Sequence, residues 1–216
     1  MAKHFHKELV ELKNEVVKMG ILALKMLDDS MRALTSQDIK LAKKIIEKKE
    51  LFKRYDYEIE AKALRLIALY QPIAMDLRLL GTILKIITYL TRLGRYGKDI
   101  AKVVEELSTK PYPASFINLI HMWEHVKTMA EDSFKAFEES DIKYIKNFGQ
   151  RDNEVDEMRW SIFRENITYM MEDPKLITPC LFFVMIARYL ERCGDNTCKI
   201  AEKVYYMVTG QHVEIK

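Results

Sequence analysis

The chain has 216 residues, 49% of them hydrophobic and 31% charged, with only seven glycines and five prolines. That balance is typical of a globular protein, and the scarcity of turn-forming residues argues against an all-β fold. The formal net charge of +3 is too small to imply nucleic acid and comes without any long block of Lys or Arg, so no nucleic-acid partner is expected. Residues 1–15 are charged throughout and carry no signal-peptide core, and the longest apolar runs are too short to span a bilayer, so a cytoplasmic protein is expected. Cys180, Cys193 and Cys198 form no CxxC pair and read as free thiols.

Helical periodicity runs from end to end, and no stretch alternates with the period of a strand. The first helix is predicted over 3–33, with Phe5, Leu9, Leu12, Val16, Met19, Leu22 and Leu27 as its buried stripe. Ser36 is the expected N-cap of a second, long helix over 38–70. Pro72 interrupts it and is expected in the first turn of a third helix over 72–107. A linker with two prolines, Pro111 and Pro113, follows at the midpoint. Three more helices are predicted over 114–138, 141–171 and 176–209, with a break at Asp173-Pro174 and a stop at Gly210. Within the fifth, Val155, Trp160, Phe163 and Ile167 mark the expected buried side.

The two halves are copies of one pattern. Met26, Asp29, Ser30, Ala33, Asp38 and Ile39 recur as Met129, Asp132, Ser133, Ala136, Asp141 and Ile142. Pro72 recurs as Pro174, and Leu90, Arg92, Gly94, Ile100 and Ala101 recur as Leu190, Arg192, Gly194, Ile200 and Ala201. The expected fold is therefore all-α: two tandem three-helix bundles, residues 1–108 and 109–216.

Two pairs of carboxylates give the second copy its chemistry. Asp152 and Asp156 lie one turn apart on the fifth helix, and Glu191 and Asp195 one turn apart on the sixth. Both pairs stand at nearly equal distances from Pro174, so antiparallel helices bring them to the same height. Four carboxylates there repel unless a cation or shared protons neutralise them, and an all-oxygen donor set suits a hard ion better than Zn. The matching positions of the first copy are Lys49, Lys53, Thr91 and Arg95, which supply no such donors. A metal is therefore expected on the C-terminal half only.

Two motifs extend this reading. The stretch 64–78, reading LRLIALYQPIAMDLR, resembles the central signature of the PhoU family of phosphate-signalling proteins. The stretch 188–196, RYLERCGDN, with 205–210, YYMVTG, resembles that family's C-terminal signature. The resemblance covers nearly the whole chain. It implies two similar helical bundles, and metal bound through paired-acid motifs at Asp152, Asp156, Glu191 and Asp195. The ion it implies is Fe, Mn, Mg or Zn. It implies control of phosphate uptake and phosphate-responsive signalling by docking on the ATPase of a phosphate importer, and in many bacteria on a membrane histidine kinase. The chain would be peripheral to the membrane through these partners. Long amphipathic helices also suggest a homodimer.

Other signals weigh less. His121 and His125 are one turn apart but flank the apolar stripe of their helix and read as surface residues. No Glu-x-x-His pair occurs on the acidic helices, no glycine-rich phosphate loop is present, and no nucleophile motif appears, so no enzyme is expected. The rival readings are a carboxylate-bridged metal store or redox protein and a metal-free helical adaptor.

Overall fold

The computed structural model describes residues 2–215. Every long element in it is an α-helix: α1 Ala2–Ser36, α2 Ile39–Glu47, α3 Lys49–Tyr70, α4 Ala74–Leu107, α5 Phe116–Glu139, α6 Phe148–Glu172 and α7 Ile177–Thr209. Short 3-10 turns precede α6, at Ile142–Ile145, and α7, at Pro174–Leu176. The fold is all-α, as expected.

The stripes that predict the helices are the stripes that bury. Along α1, Phe5, Leu9, Leu12, Val16, Met19 and Leu27 are in the core, and Leu22 packs against it. Along α7, Ile186, Leu190, Cys193, Thr197, Ile200 and Val204 are buried. Gly210 takes a left-handed φ of 76° and its amide closes α7 on the Tyr206 carbonyl at 2.8 Å.

Several local expectations are corrected. Ser36 caps nothing; it is the last residue of α1, and its hydroxyl donates back to the Arg32 carbonyl at 2.9 Å. Asp38 is the cap instead, accepting from the Leu41 amide at 3.0 Å. Asp38→Ala should lower stability by about 1 kcal/mol, readable as a shifted denaturant midpoint with an unchanged slope. The expected single helix over 38–70 is two helices, α2 and α3, which meet at Lys48. There the Lys48 amide tightens onto the Ile45 carbonyl, and its ammonium stands 3.5 Å from Asp29. Pro72 lies ahead of α4 rather than in its first turn, because Gln71 turns left-handed at φ 46° and Ile73 is extended. In the second copy the counterpart of α2 shrinks to the 3-10 turn, and Asn147, at φ 62°, starts α6. On α6 the buried residues are Phe148, Val155, Ile162 and Asn166, whereas Trp160 and Ile167 face outward.

The halves lie side by side and antiparallel. Helix α1 runs against α5: Lys127 Nζ reaches Asp28 at 2.8 Å, and Lys13 Nζ donates to Ser140 at 2.9 Å. Helix α4 runs against α7: Tyr96 stacks on Tyr189 with ring centroids 5.8 Å apart, and Thr82 Oγ1 donates to the Lys203 carbonyl. Repeat-equivalent helices therefore pair with each other, which is a pseudo-two-fold axis across the bundle. Its crossing point on α4 and α7 falls between the two copies of the Leu-x-Arg-x-Gly stretch. Within the first copy α1 approaches α4 closely, because Gly97 has no side chain and its carbonyl accepts from Ser30 Oγ at 2.8 Å. Tyr112, in the segment joining the copies, donates to the Leu34 carbonyl at 3.0 Å and sits edge-on to Phe183 of α7.

Candidate metal centre

Helices α6 and α7 are antiparallel neighbours, and Gly194 lets them close. A Cβ there would stand 3.5 Å from Asp152 Oδ1 and from Val155. Asp152 of α6 thus faces the Glu191–Asp195 turn of α7, and Asp156, one turn further on, is exposed. Asp152 is half-buried, and its carboxyl is held above the usual range. Burial is the main cause, followed by the Asp195 charge, with Asp156 and Glu191 adding repulsion and a hydrogen bond from Cys198 opposing it. Asp152 thus feels the charge of each of the other three carboxylates.

Glu191 is buried, and two arginines neutralise it. Arg159 Nε stands 3.2 Å from Glu191 Oε2, and Arg188 holds both carboxylate oxygens from one turn earlier on α7. Asp195 pairs with Arg192 at 3.0 Å. Arg188 is three residues before Glu191 on α7, a spacing legible in the sequence, whereas Arg159 reaches Glu191 across from α6. Cys198, unremarked in the acidic motif, donates to Asp152, and burial and then the Asp152 charge push its thiol up.

Chemically the four acids suit a hard cation: all donors are oxygen and half-buried repulsion favours added positive charge. Asp152, Asp156, Glu191 and Asp195 would be its ligands, with Cys198 an adjoining soft donor. In the rotamers of this structure Glu191 is turned to its arginines, and among the described residues no three His, Cys, Asp or Glu side chains are gathered as a ready-made metal cage.

An open cleft of about 760 Å³ runs from this centre to the other half, lined by Asp152, Asp195 and Cys198 on one side and Arg92, Arg95 and Tyr96 on the other. The first-copy positions Lys49, Lys53, Thr91 and Arg95 do come together, around a second pocket that shares Arg95 with the cleft. His121 is exposed as expected, but His125 is half-buried, with its Nε2 3.4 Å from Glu154 of α6.

Two helical bundles related by a pseudo-two-fold, each with a facing pair of motif turns on its second and third long helices, define a duplicated helical-bundle protein. The PhoU domain model matches the chain twice, over residues 16–104 and 119–204. A "Phosphate-specific transport system accessory protein PhoU homolog" of Clostridium acetobutylicum is 37% identical over 99% of this chain and 98% of its own length. One of Rhizobium meliloti is 36% identical over 95% of this chain and 87% of its own. The crystal structure of PhoU from Pseudomonas aeruginosa superposes with a TM-score of 0.91 at 32% identity, covering 96% of this chain and all (100%) of that one. The phosphate transport system regulatory protein PhoU from Streptococcus pneumoniae gives 0.89 at 28% identity, over 97% and 99%. The chain belongs to the PhoU family.

Proposed function

We propose that this protein is an accessory regulator of phosphate-specific transport that works by binding rather than by catalysis. The observation that carries the proposal is the match of both domain copies, with relatives named for that transport system along nearly their whole length. Its partners in this reading are the ATPase of a phosphate importer and, where present, a membrane histidine kinase, met at the cytoplasmic face. No helix among the described residues is long and apolar enough to cross a membrane, so contact with the bilayer would be through partners. Exposed apolar side chains at both bundle tips suit docking: Leu69, Ile73 and Met75 at one end, and Met171 and Ile177 at the other. A second copy of the chain would use such surfaces to form a homodimer.

The carboxylate centre supplies a structural role in this reading. A bound Fe, Mn or Mg ion would add positive charge between α6 and α7 and hold their middle turns together. The chain's own contribution is to keep Asp152 half-buried beside Asp195, and to place Gly194 where the helices touch. The Arg159 and Arg188 contacts to Glu191 favour a second reading, a metal-free adaptor in which arginines do the ion's work.

Deleting the gene should raise phosphate uptake or polyphosphate under plentiful phosphate, and elemental analysis of untagged protein should find metal. Uptake unchanged under both scarcity and plenty would sink the regulatory role. Clean protein without metal would leave the adaptor reading alone.

A further inference from the structure

The first copy has lost its acids, but it has not lost its pocket. Lys49, Phe52, Lys53, Thr91, Gly94, Arg95 and Lys98 enclose a hollow of about 370 Å³ between α3 and α4. Four of the seven are cations and none is an acid. The floor is recessed: Gly94 leaves the space that the Phe52 ring fills, since a Cβ there would stand 2.9 Å from it. Lys98 joins the set although the acidic motif does not predict it, and its side chain is only 14% exposed.

Like charges crowded around a hollow repel one another and need compensation. The surroundings give only part of it. Asp99 stands 3.1 Å from Lys98 and 3.9 Å from Arg95, and the exposed Glu50 stands 3.7 Å from Lys53. Lys49 has no carboxylate within 4.0 Å among the described residues. Asp56 faces the pocket's Thr91 from α3; burial, then Glu60, raise its carboxyl, and the Thr91 hydroxyl opposes them. Thr91 Oγ1 is buried with the Asp56 carboxyl as its neighbouring acceptor, and the contact falls short of good hydrogen-bonding geometry. A buried hydroxyl and four cationic side chains lining one hollow are the donors that a small multivalent oxyanion satisfies.

We propose that this pocket is an anion site, taking a free phosphate-type dianion with Lys49, Lys53, Arg95 and Lys98 as its cations and Thr91 as a neutral donor. The volume admits such an ion with several waters, at about 30 Å³ each. A free ion fits better than a lipid headgroup, because the deepest cation and the hydroxyl sit below the surface, where a bilayer plane does not reach. The site needs no metal and no transporter, so it stands or falls apart from the regulatory role.

The test is calorimetric titration of the full chain with inorganic phosphate, against chloride at equal ionic strength. Saturable binding of one phosphate per chain is expected, with a rise in melting temperature that chloride does not give. Lys49→Gln combined with Thr91→Val should weaken binding by about 10-fold or more, the loss of one or two charge-assisted bonds. The same variant should melt in chloride no lower than the parent, since it relieves repulsion, which separates lost binding from lost folding. Lys143→Ala, at an exposed site on the other half, should bind as the parent does. No saturable binding, or full binding by the double variant, overturns the proposal. So does attachment to phosphatidylglycerol vesicles that free phosphate fails to compete away, because that places the phosphoryl group in a lipid.

Discussion

Asp152→Asn and Glu191→Gln should move the melting temperature of the metal-free protein in opposite directions. Glu191 is the one carboxylate of the four with strong compensation. Its side chain is 10% exposed, and Arg159 at 3.2 Å is 20% exposed. Taking away its charge strands a guanidinium in a poor solvent, which costs about 3 kcal/mol. For a chain of this size that is a fall of roughly 6–12 °C. Asp152 is the opposite case, because burial and the neighbouring acids destabilise its charged form. Asparagine keeps the shape and the acceptor for Cys198 but sheds the charge, so the variant should melt higher than the parent at neutral pH.

The pH dependence follows with its sign. A carboxyl whose folded pKa is raised binds more protons folded than unfolded, so stability falls as pH rises from the ordinary aspartate range through the raised value. Asp152→Asn should remove that slope. If the centre holds a metal, both variants should lose the stabilisation that metal gives, whatever their apo stability. A Glu191→Gln variant that melts with the parent would overturn the arginine account. A lower-melting Asp152→Asn variant would overturn the repulsion account.

The second large effect is a contrast between two glycines on the same helix. A Cβ on Gly97 would stand 3.1 Å from the Met26 carbonyl carbon and 3.2 Å from the Leu27 nitrogen. Both are backbone atoms, and α1 must move to make room. Gly97→Ala should cost about 1–3 kcal/mol, and Gly97→Leu should prevent folding. Gly81, also in α4, has nothing within 4 Å of its Cβ position. Gly81→Ala should stabilise by about 0.5–1 kcal/mol through helix propensity alone. Equal effects in urea titrations of the two alanine variants would remove the close-approach argument.

Helix positions were legible because each core stripe repeats at three or four residues, and the duplication repeated the evidence. The break at Lys48 was not, since neither glycine nor proline marks it, and the Lys48 contact with Asp29 that accompanies it is between distant parts of the sequence. Trp160 misled for a related reason. It looks like core, yet the Arg159 guanidinium covers one face at 4.1 Å and Phe163 meets its edge at 5.7 Å. An aromatic so covered is content at the surface. Among site residues, the facing of Asp152 with Glu191 and Asp195 followed from distances to Pro174, while the exposure of Asp156 did not. The pairing of Glu191 with Arg159 did not, because a carboxylate has several arginines within reach along the sequence and only the helix path chooses one.

The antiparallel pairing of α1 with α5 and of α4 with α7 also bears on how such a chain diversifies. A half-length chain of this fold would leave those same faces bare, and would cover them by associating with an identical copy. Every change in one site of that assembly would then appear in the other, so an acidic site and a basic site could not coexist. Joining the copies through residues 108–115 removes the constraint. Each site then mutates alone while the shared faces stay complementary, and one gene carries two opposite charges where a symmetric assembly is held to one.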